Sequence, residues 1–301
     1  MRILMTGGTG LIGRALCELW TSHGHELLVL SRHPERVAGR CFGARGLSML
    51  QELDDIGPVD AVVNLAGAPI ADKPWSASRR DLLWQSRIDS TRRLVQWIAQ
   101  QPRRPALLLS ASAVGWYGNA GERVLNEASS PGSVDFGTQL CEAWELEALQ
   151  ATTSGTRVVR LRIAPVLAPG AGLLARLRTP YRLGLGGRMG NGRQWMPWIH
   201  QQDLIRMVDW LLQNPSCEGV YNACAPEPVR QATFAKALAH AWHRPALLST
   251  PAWVLRAALG EMSVLLLSSQ CLRPHRAMNA GFSFDYPAID LAVTNLIKPQ
   301  S

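Results

Sequence analysis

Three glycines at three-residue spacing, Gly7, Gly10 and Gly13, stand in "MTGGTGLIGR", directly behind an apolar run that starts at Arg2. A stretch this bare does its chemistry with backbone rather than side chains. Glycines between a strand and a helix let a ligand approach exposed N–H groups at the positive helix end, and the ligand suited to that cradle is a pyrophosphate. The triplet follows a strand-like segment and opens a helix-like one, the context the pattern requires. The expected contacts are Gly7, Thr9, Gly10, Leu11, Ile12 and Gly13. A tight strand-to-helix turn without a ligand would use the same glycines.

The next strand-like run ends in "VLSRHPER". A protein that holds NAD offers Asp or Glu to the ribose hydroxyls at this point. Here Ser31 and Arg32 stand there instead. A guanidinium pairs with a 2′-phosphate that a carboxylate would repel, so NADP(H) is the expected cofactor. Simple solvation of Arg32 and Arg36 is the alternative.

These residues need elements to hold them. Arg2–Met5 reads as a buried strand, and Leu11, Ile12, Ala15, Leu16, Leu19 and Trp20 follow at helical spacing. Further strands are expected at 26–30, 61–65, 106–109 and 157–166. A long helix is expected between Ser76 and Gln100, whose face is Trp84, Ile88, Thr91, Val95 and Ile98, and another at 139–150. Strands alternating with helices build a parallel sheet covered on both faces. The fold class is therefore α/β, a Rossmann-type doubly wound parallel sheet with a smaller C-terminal substrate lobe. Residues 168–196, rich in Gly, Pro and Arg, read as loops and short elements over the sheet's carboxyl edge. Helical spacing returns near 204–212 and 232–242, and "GFSFDYP" reads as a short strand. The expected division is 1–165 for the NADP-binding part and 166–301 for the rest, with about 197–230 returning to the first part.

Composition narrows the classes. The 301 residues, 47% of them hydrophobic, suffice for a large core. Six cysteines stand far apart with no CxxC pair, which argues against both a zinc site and a disulfide framework. No apolar leader precedes the glycine loop, and the apolar stretch 254–267 is interrupted by Arg256, Gly260 and Glu261, so a cytoplasmic protein with no membrane partner is expected. The formal charge of +8 is scattered among acidic residues rather than gathered into a tract, so nucleic acid is not the expected partner.

The GxxGxxG spacing resembles the short-chain dehydrogenase/reductase superfamily. Further segments, "GAPIADKPW", "SRIDSTRRLV", "SASAVGWYG", "LCEAWE", "YRLGLGGRMGNGRQWMPWIH" and "GFSFDYP", run in order along the whole chain. Together they resemble the YfcH-type proteins of the epimerase family, atypical extended members of that superfamily. The resemblance implies a Rossmann fold and a bound NADP(H). "NLAGAPI" is similar to the NNAG-type element, which carries cofactor contact over to Asn64, Leu65, Ala66 and Gly67. It also implies that Arg87 of "SRIDST" reaches the cofactor, where the bland alternative is a surface salt bridge, and that Pro165 and Val166 of "APVL" flank the nicotinamide end.

Ordinary members carry Tyr and Lys four residues apart: the Tyr exchanges a proton with substrate and the Lys lowers its pKa. In this chain Phe136 and Leu140 stand at those positions. The remaining proton-handling candidates are Ser112, which matches the substrate-binding Ser or Thr of relatives, and Tyr117, with a strand-end turn hydroxyl and a core aromatic as the bland alternatives. Cys141 reads as packing and His200 of "WIHQQDL" as structural. The expected function is an NADP(H)-binding oxidoreductase or epimerase-like enzyme acting on a small molecule. An anionic substrate is expected because Arg176, Arg178, Arg182, Arg188 and Arg193 crowd the covering segment, although a solvated loop face reads the same way. The competing expectation is a catalytically silent NADPH sensor.

Overall fold

The computed structural model describes residues 1–297. Seven strands, numbered in chain order, form one parallel sheet: β1 (Arg2–Thr6), β2 (Glu26–Leu30), β3 (Ala44–Leu47), β4 (Ala61–Asn64), β5 (Leu107–Ala113), β6 (Arg157–Ile163) and β7 (Gly219–Ala223). Their spatial order is β7-β6-β5-β4-β1-β2-β3. The order reverses between β1 and β4, and the glycine loop leaves β1 at that point, where open α/β sheets bind ligands.

Strand geometry sends successive side chains to opposite faces. Ile3 and Met5 of β1 join Leu27, Val29, Val63 and Leu109 in a core on one face. Leu4 joins Leu28, Val62, Leu108 and Val158 on the other. Helices α1 (Leu11–Ser22) and α6 (Gln201–Gln213) cover the first face through Leu16, Trp20, Met207 and Leu211. On the second face, α3 (Ile88–Gln100) contributes Leu94, Trp97 and Ile98, and α4 (Phe136–Leu149) contributes Ala148. Because both faces are buried, the strands are nearly continuous apolar runs rather than alternating ones.

Several elements differ from expectation. The long helix from Ser76 is two: α2 (Ala77–Gln85) and α3 are separated by Ser86 and Arg87. Trp84 is therefore partly exposed while Ile88, Thr91, Val95 and Ile98 are buried. Residues 172–182 form a helix, α5 (Gly172–Arg182), despite Pro180. Leu174 and Tyr181 anchor it to a separate core with Trp198, Phe234 and Leu238, the last two from α7 (Gln231–Ala241). "GFSFDYP" is not a strand. Phe282 and Phe284 do pack against the sheet's core, but the N–H groups of Asp285 and Tyr286 donate to the two carboxylate oxygens of Asp203, at 2.8 and 2.9 Å, rather than to a neighbouring strand.

Candidate functional site

The glycine loop divides its glycines between two duties. Gly7 has φ +71°, and a Cβ there would lie 2.7 Å from the backbone of Leu65. A Cβ on Gly13 would lie 2.5 Å from Gly7 O and Gly8 Cα. Gly8, outside the spaced triplet, would meet Val29 at 2.7 Å. Those three are glycine because the chain itself passes too close. Gly10 differs: its φ is an ordinary −78°, and a Cβ would meet only Gly7 O, at 3.2 Å. It caps α1 with no side chain, and the N–H groups of Leu11, Ile12 and Gly13 precede the first intrahelical bond, Arg14 N to Gly10 O. The first turn of α1 carries no acidic residue, so nothing opposes an anion at its head. The loop thus fits a dinucleotide pyrophosphate.

At the end of β2 the Ser31 hydroxyl accepts from His33 N at 3.1 Å. Arg32 is exposed and enters none of the ion pairs among the described residues. The nearby acid, Glu35, is engaged by His33 and Arg36 at 3.4 and 3.5 Å. A guanidinium is thus available one strand away from the glycine loop.

Asn64 is buried, and its side chain points into the protein. Its Oδ1 accepts from Thr6 Oγ1 at 2.7 Å, and its Nδ2 donates to Thr91 Oγ1 at 2.8 Å and Ser110 Oγ at 3.2 Å. The amide ties β1, β4, β5 and α3 together and aims the strand exit. Thr6 Oγ1 in turn accepts from Ala66 N at 3.1 Å. Leu65 and Gly67 follow in this fixed turn, and the Arg87 guanidinium packs against Gly67, where a Cβ would lie 3.0 Å away.

Arg87 sits in the break between α2 and α3. It donates to Ala68 O at 3.0 Å and Leu83 O at 3.3 Å, lies 5.3 Å over the Trp144 ring, and has no carboxylate partner among the described residues. Burial holds its pKa down, to about 10. It is therefore not a surface salt bridge but a half-buried, unmatched cation braced against the β4 exit loop.

The hydroxyl candidates lie deeper. Ser112 Oγ donates to Glu145 Oε1 at 2.8 Å, and the same carboxylate receives Arg162 Nε at 2.7 Å and Arg162 Nη2 at 2.9 Å. The Arg162 guanidinium carbon lies over Trp116, 3.5 Å from the ring centroid. Tyr117 is fully buried, its hydroxyl 2.8 Å from Asn222 Oδ1 and 3.0 Å from Asn126 O. Burial pushes its pKa up to about 12, and that of Cys141 likewise. Phe136 packs edge-on against Trp75 at 5.2 Å, and Leu140 is buried in the same cluster. In the sequence Glu145 falls on the same helix as the absent pair, and nothing in its spacing couples it to Arg162. The available signal was a charge inside the otherwise buried strand "RVVRLRI".

A cavity of about 100 Å³ opens at the sheet's carboxyl edge, bounded by Pro165, Gly115 after β5 and Gly137 of α4. Trp75, Met189, Met196 and Leu266 supply apolar walls, with the amides of Gln194, Gln231 and Gln270 between them. Neither Ser112 nor Tyr117 lines it. Pro165 is exposed at its rim and Val166 half-buried beside it. The start of α5 comes beside the glycine loop, where Gly172 approaches the Leu11 side chain, and farther along it Arg176 binds Asp72 at 2.6 Å and the Ala71 carbonyl. His200 stacks on Tyr286 at 3.8 Å, accepts from Gln202 N at Nδ1 and meets Asn295 Oδ1 at 3.2 Å, away from this cavity. No cluster of three or more metal-ligating side chains occurs among the described residues, and no helix among them is long and apolar enough to cross a membrane.

This geometry has counterparts. Residues 3–224 match the model of the NAD dependent epimerase/dehydratase family, and residues 250–296 match a domain of unknown function, DUF1731. Epimerase family protein YfhF of Bacillus subtilis is 35% identical over 99% of this chain and 98% of its own length. A chloroplastic SDR39U1 homolog of Arabidopsis thaliana is 36% identical over 99% of this chain and 87% of its own. The crystal structure of human epimerase family protein SDR39U1 with NADPH superposes with a TM-score of 0.89 at 31% identity, covering 99% of this chain and 100% of that one. With the seven-stranded parallel sheet and the glycine loop at its switch point, these matches establish that the chain belongs to the NAD dependent epimerase/dehydratase family.

Proposed function

We propose that this protein is an NADPH-binding oxidoreductase that acts on a small molecule held in the cavity beside Pro165. The observation that carries the reading is Gly10 at the head of α1. Gly7, Gly8 and Gly13 are held to glycine by contacts of 2.5–2.7 Å, whereas Gly10 has an ordinary backbone and a Cβ there would meet a single carbonyl at 3.2 Å, tight but not prohibitive, so its bareness also serves an incoming ligand. The uncommitted guanidinium of Arg32 favours the 2′-phosphorylated dinucleotide. In this reading Gly7, Thr9, Gly10, Leu11, Ile12 and Gly13 hold the pyrophosphate, Ser31 and Arg32 the 2′-phosphate, and Leu65, Ala66, Gly67 and Arg87 the adenosine side, while Pro165 and Val166 border the nicotinamide. The human relative's complex with NADPH supports it. The bound cofactor supplies hydride chemistry, and the chain supplies binding, orientation and exclusion of water.

Asn64, Ser112 and Tyr117 act in this reading by positioning. Their polar atoms are committed to Thr91, Glu145 and Asn222, and no such commitment leaves a proton free for the cavity. We assign the chain to the YfcH-type branch of the family on its "SASAVGWYG" and "YRLGLGG" segments, and take 1–165 with about 197–230 as the dinucleotide-binding part.

Calorimetric titration of the ligand-free protein tests the cofactor: saturable binding of NADPH, and weaker binding of NADH, is expected, and no heat with either overturns the proposal. One observation favours a second reading, the silent NADPH binder: Phe136 and Leu140 are turned into the apolar cluster with Trp75, so the usual proton donor has no substitute at its own position. Absence of NADPH oxidation across a broad carbonyl panel, with binding intact, would decide for it.

A further inference from the structure

We propose that the cavity beside Pro165 takes an uncharged, largely apolar carbonyl or alcohol compound, and excludes sugar nucleotides and other anions. This rests on the reading above that the cavity adjoins the dinucleotide. The argument begins with what the wall lacks. Among the described residues no Lys, Arg or His lines it, and the one ionisable residue is Asp135. That carboxylate is spent as the cap of α4, accepting from Thr138 N at 2.9 Å and Thr138 Oγ1 at 3.2 Å. A buried diphosphate or carboxylate needs cations or several donors to replace its water.

The arginines that made an anion the expectation do not reach this wall. Arg176 is bound to Asp72, and Arg178 and Arg182 line a separate, open groove of about 870 Å³ with His240 and His243. Arg188 and Arg193 are exposed.

The wall's polar groups say what it does accept. Gln194 Nε2 donates to Met189 O at 3.0 Å and Leu266 O at 3.1 Å, and Gln270 Nε2 donates to Val114 O at 3.0 Å and Gly118 O at 2.9 Å. Gln231 is different. It is 1% exposed, its Oε1 accepts from Met189 N at 2.8 Å, and that bond fixes which amide end is which. Its Nε2 is left with no partner and is closed off from the free cavity, so a ligand oxygen reaches it only as the wall adjusts. A buried unmet donor is costly, so a ligand oxygen that reaches it from the adjoining cavity is favoured. Trp75, Met189, Met196 and Leu266 then cover the ligand's apolar body. One neutral donor among apolar walls matches a ketone or alcohol and gives no counter-charge to a nucleotide diphosphate.

The test uses the full chain with and without saturating NADPH, and ligand-observed NMR titration with cyclohexanone, cyclohexanecarboxylate and UDP-glucose. Cyclohexanone is expected to bind, the carboxylate of the same ring at least about tenfold more weakly, and UDP-glucose not at all. Gln231→Leu should weaken cyclohexanone by about tenfold, the worth of one hydrogen bond, while leaving NADPH affinity in place. Should that variant fail to fold, Met196→Arg, at the half-exposed rim, reads the same wall by shifting preference toward the carboxylate. UDP-glucose or cyclohexanecarboxylate outcompeting cyclohexanone on the natural chain overturns the proposal, as does cyclohexanone binding that neither variant alters. NADPH binding without any cyclohexanone binding overturns this inference alone; Gln231-dependent cyclohexanone binding without NADPH binding leaves it standing and removes the cofactor reading.

Discussion

Glu145 and Arg162 face each other across the boundary between α4 and β6, two guanidinium nitrogens on two carboxylate oxygens, with each side chain 4% exposed. The pair also receives the Ser112 hydroxyl, and Arg160 Nη1 stands 3.8 Å from the same carboxylate. It occupies the neighbourhood in which related enzymes place a titrating Tyr and Lys. Its chemistry is that of a desolvated ion pair. Such a pair fixes α4 on the sheet.

Removing one partner should therefore be severe. Glu145→Gln leaves Arg162 charged and unmatched in the interior, a loss of about 3–5 kcal/mol. Replacing both Glu145 and Arg162 by Met should recover a large part of that loss, because the cost lies in the stranded charge rather than in the missing attraction. Urea unfolding of the two variants checks this; a loss below about 1 kcal/mol for the single variant, the worth of a solvated pair, contradicts it.

Gly10 and Gly13 should separate binding from folding. Gly13→Ala forces a Cβ to 2.5 Å from backbone atoms of the loop and should cost about 1–3 kcal/mol of stability as the loop shifts. Gly10→Ala meets one carbonyl at 3.2 Å and loses a favourable cap, so it should cost less than about 1 kcal/mol. Its NADPH affinity should nevertheless fall by at least about tenfold. Denaturation curves and NADPH titrations on the same preparations give both numbers, and an unchanged affinity for Gly10→Ala would sink the assignment of that residue to ligand approach.

Arg32→Ala tests cofactor choice. A charge-assisted hydrogen bond contributes about 1.5–3 kcal/mol, so NADPH affinity should drop by about 10- to 150-fold. NADH carries no 2′-phosphate and should change little. Equal losses for the two dinucleotides would refute the role given to Arg32.

His200 predicts a pH dependence of stability. Burial lowers its pKa more than Asn295, Asp203 and Asp285 raise it, so the folded ring stays neutral where the unfolded one, with a pKa of about 6.5, takes a proton. A depressed folded pKa means that the unfolded chain binds more protons in the window below 6.5. This contribution is thus fully present above about pH 6.5 and is lost as pH falls toward the folded value. The drop in Tm between pH 8 and pH 5 should be smaller in His200→Asn than in the natural chain. An identical drop would mean that His200 does not titrate differently in the two states.

The glycine loop, β1, β2 and α1 were legible because an apolar run, a bare turn and a helical stripe follow one another without interruption. β3 escaped notice since "ARGL" shows Arg45 and Gly46 in its middle, and β7 since "GVYNA" contributes only one large apolar side chain, Tyr221, to the core. The helix α5 was hidden by Gly172 and Pro180, and its formation is settled by tertiary burial of Leu174 and Tyr181 rather than by local propensity. The cofactor side of the site was readable from residues adjacent in sequence. The cavity was not, because Trp75, Gln194, Gln231 and Gln270 come from four distant segments that only the folded chain assembles. The hydroxyls of Ser112 and Tyr117 were found by type, but their commitment to Glu145 and Asn222 depends on partners 33 and 105 residues away.

The clasp of α5 onto the β4 exit loop has a kinetic meaning. Arg176 and Asp72 are each about half exposed, and a wet pair of this sort is worth at most about 1 kcal/mol. This latch between α5 and the β4 exit loop is thus of the weakest kind, while α5 itself stays anchored by buried Leu174 and Tyr181 and the floor at the head of α1 is built from buried backbone contacts. Added salt loosens such a latch and spares the floor, so ionic strength should set how quickly a guest leaves more than how well the house stands.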